Sequence, residues 1–367
     1  MSTQAVRDPT HGRWLLPSQP LEESLDRDPE TIVTRRRVLV DAKAPFPRDK
    51  AVASEDVMLV ASELAKPATD SWIYYKTWEY KAGKLSGLSV PKNVDILLVH
   101  GYREYTGQCA YMARYLLEAG FRVVLLDLPG HGRSTGLHGH IEHPSLLTSS
   151  IKVVLQDHHD HTTNAKTPSR KMFVCGSCIG GTAALGFTLD YPGYLEGDGI
   201  GGTKVEGVYA FCPLIDSFYG PSKLQIPFVK LAGRYASEKP MYSLTKGLHY
   251  WDDSYEELWS RDSLMYNGKM RAGTAASLVK AYKQLQKRIK EVKAPLCVVH
   301  GQKDSLTDWS ASTRWAQNVS SQDKSSKLYS NTHHVMIVTF ENNMGSEERY
   351  MNDVIMVDWI RWLDDRC

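Results

Sequence analysis

Short, unbroken apolar runs recur along this chain, each closed by glycine, proline or polar residues. Val94-Asp95-Ile96-Leu97-Leu98-Val99, Arg122 to Leu126, Met172-Phe173-Val174-Cys175, Val205 to Phe211 and Pro295-Leu296-Cys297-Val298-Val299 are the clearest. A run that is apolar throughout, without alternation, predicts a strand buried on both faces. A helical stretch from Gln108 to Ala119 separates the first two. A strand, helix and strand spanning about thirty residues predict a parallel sheet with right-handed crossovers. Earlier in the chain, Trp72-Ile73-Tyr74-Tyr75-Lys76-Thr77-Trp78 predicts an antiparallel strand beside that sheet.

The same pattern divides the chain. Residues 1–55 are polar, rich in Pro, Asp and Arg, and read as an N-terminal extension with one strand-like patch at Val38-Leu39-Val40. Residues 56–212 and 293–367 carry the strand runs and read as two parts of one core. The intervening 213–292 lacks such runs, and its last helix is amphipathic through Leu278, Tyr282, Leu285, Ile289 and Val292. That inserted position suits a helical cap. The chain closes in an amphipathic helix that is acidic in its first turn, at Glu347-Glu348.

The chemistry gathers where strand runs end. Gly176-Ser177-Cys178-Ile179-Gly180-Gly181 lies between an apolar run and the small-residue helical stretch from Thr182. Glycines two residues either side of a central residue are what a nucleophile elbow requires, because side chains there would collide. Ser177 has Cys175 and Ile179 at those places; Cys178 has Gly176 and Gly180. Two plainer readings stand beside this one. Cys178 can be a small buried hydrophobe, or Cys175 and Cys178 a C-x-x-C redox pair.

Other runs end in fitting loops. Val94–Val99 leads into His100-Gly101-Tyr102-Arg103-Glu104-Tyr105-Thr106-Gly107, where the backbone amide of Tyr102, with that of Ile179, is a candidate oxyanion hole. His100 is expected to bond within its own loop. Pro295–Val299 ends at His300-Gly301-Gln302-Lys303-Asp304, where an aspartate can orient a histidine from the next strand–loop unit. That unit offers His333 and His334. Nucleophile, acid and base in this chain order match α/β-hydrolases rather than other serine-hydrolase folds.

Together these segments resemble the monoglyceride lipase and serine-aminopeptidase branch of the α/β-hydrolase superfamily. The carriers are His100-Gly101 with Thr106-Gly107, Asp127-Leu128-Pro129-Gly130-His131-Gly132-Arg133-Ser134, the elbow, His300–Asp304, and Ser321-Gln322-Asp323-Lys324 leading to His334-Val335. The resemblance runs from about Trp72 to the C-terminus. It implies an α/β-hydrolase fold, a mostly parallel central sheet with helices on both faces and an inserted helical cap. It also implies Cys178 as nucleophile, Asp304 as acid and His334 as base, with His333 second to His334 and Asp308 a loop-structuring carboxylate.

The departure from the branch is the thiol. A thiolate leaves a tetrahedral intermediate more readily than an alkoxide, so plain acylglycerol esters would return to substrate while thioesters and activated esters go forward. The expected activity is therefore hydrolysis of carboxylic esters or thioesters with a lipophilic acyl group. An acyltransferase or lactone-processing enzyme, and a ligand-binding pseudohydrolase, are the alternatives. Leu224, Ile226 and Phe228, within an apolar cluster flanked by Lys223 and Lys230, are the candidate acyl-pocket wall; a lip for membrane or lipid-droplet contact stands behind ordinary packing of a cap helix onto the core.

Charge and composition narrow the partners. The 367 residues carry 44 basic and 42 acidic side chains, a formal charge of +2, which gives no electrostatic case for nucleic acid. Arg35-Arg36-Arg37 reads as a solvated patch. Asp157-His158-His159-Asp160-His161 reads as a solvated helix end rather than a metal site, since few of its side chains share a helix face. No metal or cofactor is expected. Of six cysteines, Cys175, Cys212 and Cys297 fall in or beside strand runs, where reduced thiols are expected. With no apolar leader and no long apolar run, the expected location is the cytoplasm.

Overall fold

The apolar runs assemble side by side. In the computed structural model, strands β1 (Thr31–Val40), β2 (Val52–Asp56), β3 (Ser71–Tyr80), β4 (Val94–Val99), β5 (Arg122–Leu126), β6 (Lys171–Ser177) and β7 (Val205–Phe211) precede a small ribbon, β8 (Pro240–Tyr242) with β9 (Met270–Arg271). β10 (Leu296–Gly301) and β11 (Lys324–Tyr329) follow. The structure describes residues 13, 16–40, 52–56, 71–87, 89–163, 169–197, 203–217, 221–222, 224–243, 253–337 and 345–367. Nine strands form one sheet in the order β11-β10-β7-β6-β4-β5-β3-β1-β2. From β11 to β5 every neighbour is parallel, and β3, β1 and β2 add on antiparallel.

Side chains along β4 alternate between two core layers. Leu97 and Val99 pack with Ile151, Val154 and Ala184, from the helices Ser145–Thr162 and Ile179–Asp190. Ile96 and Leu98 pack with Leu116, Ile355 and Trp359, from Ala110–Glu118 and Ser346–Asp364. Both faces are covered, which explains the unalternating strand pattern. Chain order reverses at β4, with β5 on one side and β6 on the other. Open α/β sheets bind ligands at such a switch point.

The strand-like patch Val38-Leu39-Val40 of the N-terminal segment lies in β1. β1 pairs with β3 from Thr31↔Tyr80 to Val40↔Ser71, and so belongs to the sheet. The helix Pro20–Arg27 docks Glu22 onto Lys76, with Arg133 Nη1 donating to the same carboxylate at 3.1 Å. Burial opposes ionisation of Glu22, yet Lys76 and Arg133 together hold its carboxyl below the usual range. The arginine run is not a solvated patch. Arg36 donates to Asp157 at 2.7 Å, Arg35 pairs with Asp26 at 2.8 Å, and Arg37 lies over the Trp72 ring.

The Asp–His run is solvated only at its end, where Asp160 and His161 are exposed. Asp157 is buried and accepts also from Tyr75 at 2.7 Å, while buried His158 sits 2.9 Å from Asp95. Their partners lie on other strands, out of reach of a local reading. The cap holds the ribbon as well as the helices Ile226–Tyr235, Asp253–Ser260 and Ala272–Lys287. No helix among the described residues is long and apolar enough to cross a membrane.

Candidate active site

β6 runs straight into the turn that presents Cys178. This residue adopts φ 51°, ψ −118°, and the helix Ile179–Asp190 begins immediately after it. A non-glycine in such a conformation costs on the order of 1–3 kcal/mol and persists only where its surroundings impose it. Here the Cys178 N–H donates to Phe211 O at 2.9 Å, and Thr182 N–H returns to Cys178 O at 3.1 Å. Glycine is needed on both sides. A Cβ on Gly176 would lie 2.5 Å from the Gly180 carbonyl carbon, and one on Gly180 would lie 2.1 Å from Val99 O.

Asp304 and His334 reach the same place from the ends of β10 and β11. His334 Nδ1 lies 2.7 Å from Asp304 Oδ2, and the imidazole is hydrogen-bonded to Cys178. The Nδ1 proton goes to the carboxylate, which leaves Nε2 for the sulfur. Burial disfavours the imidazolium, but Asp304 and then Cys178 outweigh it and hold His334 well above the ordinary histidine range. Asp304 is buried too, a condition that opposes its charge. His334 and His300 nevertheless hold it far below the usual carboxylate range.

Five groups besides position the Asp304 carboxylate. Leu306 and Thr307 amides donate to Oδ1 at 2.8 and 2.9 Å, while Thr307 Oγ1 and His300 Nε2 reach Oδ2 at 2.7 and 2.8 Å. The fifth is buried Cys212, whose thiol hydrogen-bonds the same carboxyl. His333 is half-buried, and burial holds its imidazole below the ordinary histidine range. Asp308 caps the helix Trp309–Asn318, accepting from the Ser310 and Ala311 amides.

The loop after β4 closes the other side. Gly101 packs against Cys178, since a Cβ there would lie 3.4 Å from Cys178 Cβ and 2.9 Å from Glu104 Oε2. Glu104 accepts the Gly101 N–H at 2.6 Å and bonds the Ser177 hydroxyl, which places Ser177 in the loop's support. His100 Nε2 accepts from Leu128 N–H at 2.9 Å, so its Nδ1 carries the proton that reaches Gly101 O at 2.7 Å. Burial pushes His100 down to about 4, and it is neutral at pH 7. Tyr102 and Ile179 both line the space beside Cys178; Ile179 opens its helix, so its amide has no acceptor within it.

Sequence reading passed over Arg103. Its φ is 77°, its carbonyl accepts from Tyr266 N–H at 3.0 Å, and its guanidinium donates to Tyr266 O and Asn267 Oδ1 at 2.9 and 3.0 Å. This joins the oxyanion loop to the cap. The Asp127 motif is scaffolding by comparison. Its carboxylate accepts the Thr106 and Arg133 amides, each at 2.7 Å, and ties two loops together.

A cavity of about 590 Å³ opens above Cys178, walled by Tyr102, Leu214, Phe228, Val229, Leu278, Val279 and Tyr282 with His334 at its floor. Phe228 thus faces the cavity, together with Val229. Leu224 is 84% exposed on the cap surface, and Ile226 is buried in the packing beneath it. A second cleft of about 570 Å³ lies at the opposite strand ends, lined by Glu196, Lys204, Glu206, Arg288 and Glu291. Lys204 pairs there with Glu206, and Arg288 with Glu291. Among the described residues, the group close enough to hold a metal is Cys212, Asp304 and His334, whose Asp–His pair is already engaged.

A family model described as serine aminopeptidase, S33, matches residues 91–342, from the strand before the oxyanion loop to beyond His334. The chain belongs to this family. It is accordingly a member of the α/β-hydrolase superfamily, in the branch that holds the monoglyceride lipases. A monoacylglycerol lipase of Mycolicibacterium smegmatis is 27% identical over 245 residues, covering 66% of this chain and 81% of that protein. The monoglyceride lipase of Rattus norvegicus is 22% identical over 244 residues, 66% of this chain and 75% of its own.

Solved structures agree on the fold. A soluble variant of Saccharomyces cerevisiae monoglyceride lipase, held with a substrate analogue, superposes with a TM-score of 0.66 at 17% identity. The match covers 81% of this chain and 92% of that one. A monoacylglycerol lipase of Paleococcus ferrophilus gives 0.61 at 19% identity, covering 78% and 98%.

Proposed function

We propose that this S33-family hydrolase cleaves carboxylic esters or thioesters with a lipophilic acyl group, through a Cys178–His334–Asp304 triad. The observation that carries the reading is a thiol in a left-handed elbow, bonded to an imidazole whose other nitrogen meets a buried carboxylate, at the floor of a largely apolar cavity. The relatives, monoacylglycerol and monoglyceride lipases, support an acyl-ester substrate.

In this mechanism Cys178 Sγ attacks the carbonyl carbon while His334 Nε2 holds the thiol proton. The Tyr102 and Ile179 amides stabilise the oxyanion. Collapse expels the alcohol or thiol, which takes the proton from His334, and leaves a thioester on Cys178. Water then attacks with His334 as base, releasing the acid and restoring the thiol. Because the thiolate is the better leaving group, thioesters and activated esters turn over faster than plain acylglycerols. On the cap, Leu224, Phe228 and Leu231, which are 84%, 72% and 57% exposed, stand beside exposed Lys230 and Arg234. That rim meets the lipid surface from which a lipophilic substrate is drawn.

The test is intact-protein mass after mixing with activated esters, thioesters and a long-chain monoacylglycerol, beside Cys178→Ala. An acyl increment present in the wild type and missing in the variant is expected. No adduct and no turnover from any panel member, in folded protein, would sink the reading.

A further inference from the structure

The mechanism uses one thiol, yet two converge on the same acid–base pair. Ser177 and Phe211 are the last register partners of β6 and β7, and the Cys178 N–H donates to Phe211 O at 2.9 Å. Cys178 and Cys212 therefore follow one another across the ladder. Neighbouring strands lie about 4.8 Å apart, inside the roughly 4.4–6.8 Å range of Cα separations that a disulfide bridges. Both residues leave the ladder with positive φ, 51° and 41°.

Their side chains meet the same groups. Cys178 is hydrogen-bonded to His334, and Cys212 Sγ lies within 4.8 Å of a carboxylate oxygen of Asp304 and a ring nitrogen of His334. Cys178 lines the cavity, whereas Cys212 is buried behind it, so a small oxidant in the cavity meets Cys178 first. The C-x-x-C spacing suggests a different pairing, but Cys175 points into the core beside Tyr209 and Cys297.

We propose that Cys178 and Cys212 are a peroxide-oxidisable pair, in which the elbow thiol is oxidised inside the cavity and Cys212 resolves it as a reversible disulfide. In the first step the Cys178 thiolate attacks one oxygen of hydrogen peroxide. The O–O bond breaks, an S–O bond forms, and the departing hydroxide takes the proton held by His334 and leaves as water. Sulfur is oxidised to the sulfenic acid and peroxide is reduced. In the second step Cys212 sulfur displaces the sulfenic hydroxyl, which leaves as water with the Cys212 proton, and the S–S bond closes. Burial, then Asp304, pushes the Cys212 thiol up, which disfavours its own reaction with peroxide. The disulfide occupies the nucleophile and stops acyl chemistry until a thiol reductant opens it.

This inference rests on Cys178 being a reactive thiol, as the proposed function also requires, but its readout is independent of acyl turnover. The full chain is treated with hydrogen peroxide, alkylated, and analysed by intact mass and non-reducing peptide mapping. The expected result is a loss of about 2 Da before alkylation, a cross-linked Cys178–Cys212 peptide after it, and full return of the mass with dithiothreitol. Cys212→Ser, with Cys212→Ala as a second variant should one fold poorly, should instead gain about 32 Da at Cys178 as sulfinic acid, with no recovery. Over-oxidation of the wild type as readily as of the variants, without a cross-link, overturns the pair. Acylation of Cys178 by the ester panel without any peroxide oxidation also overturns it and leaves the proposed function standing. If Cys178 takes neither acyl group nor oxygen, both fall together.

Discussion

Cys178 combines a positive-φ turn with a hydrogen bond to His334, as the proposed nucleophile requires. Replacing it with alanine should lower kcat by roughly 10³-fold or more, since nucleophile and base act as a unit. Cys178→Ser tests the leaving-group argument separately. Its ratio of oxygen-ester to thioester turnover should rise, by roughly tenfold or more, if the thiolate limits forward collapse. Asp304 holds His334 above the ordinary histidine range, so the deacylation rate should climb with pH through that raised value. In Asp304→Asn the rising limb should move to lower pH, and its plateau should fall roughly 10⁴-fold. A pH–rate profile on a pre-formed acyl-enzyme shows both.

His100 gives the stability counterpart. It is fully buried and neutral, held at about 4, so below its unfolded value the denatured chain binds the extra proton. Stability is lost as pH falls from about 6.5 toward 4, on the order of 3 kcal/mol. Urea midpoints of His100→Gln should be flatter across that window than those of the wild type.

At the scale of elements, the elbow is the joint between β6, the helix Ile179–Asp190 and the loop after β4. Gly180→Ala places a Cβ 2.1 Å from Val99 O, a backbone atom that cannot swing away. It should therefore unfold the joint or remove the soluble protein. Gly186→Ala, in the same helix, meets only Thr148 Cγ2 at 3.2 Å and should cost little, as circular dichroism melts of the two variants would show. The elbow, the strand runs and the late amphipathic helix were legible because their signals are local in the chain. β1 was legible only at Val38-Leu39-Val40. Its Arg35-Arg36-Arg37 reads as solvent-facing until Asp26, Asp157 and the Trp72 ring are brought alongside.

Across the whole molecule, the N-terminal helix and the cap are fastened to the same loops that form the site. Lys76 is buried beneath Glu22 and Asp26, and Glu22 also takes Arg133 from the turn after β5. Glu22→Gln leaves two cations short of a partner and should destabilise the chain by roughly 3–5 kcal/mol in denaturant titrations. On the opposite side, Arg103 links the oxyanion loop to the cap, whose rim exposes Leu224 and Leu231. Leu224→Asp with Leu231→Asp should reduce co-sedimentation with anionic vesicles by roughly 100-fold or more, at about 1.5–3 kcal/mol per apolar side chain withdrawn. Turnover of vesicle-borne substrate should fall with it, relative to a soluble ester.

The sequence by itself determined the strand runs of the core, the elbow and the chain order of Cys178, Asp304 and His334. Each depends on spacing within a few residues, where backbone sterics and burial period leave a readable mark. Only the tertiary structure decided between His333 and His334, since both follow β11 and one reaches Asp304 Oδ2 at 2.7 Å. It also decided that Phe228 rather than Leu224 faces the cavity, that the arginine run is a sheet strand, and that Cys212 rather than Cys175 stands beside the triad. These turn on which side chains meet across strands distant in sequence. Charge pairing and thiol proximity are properties of that meeting, and no local pattern carries them.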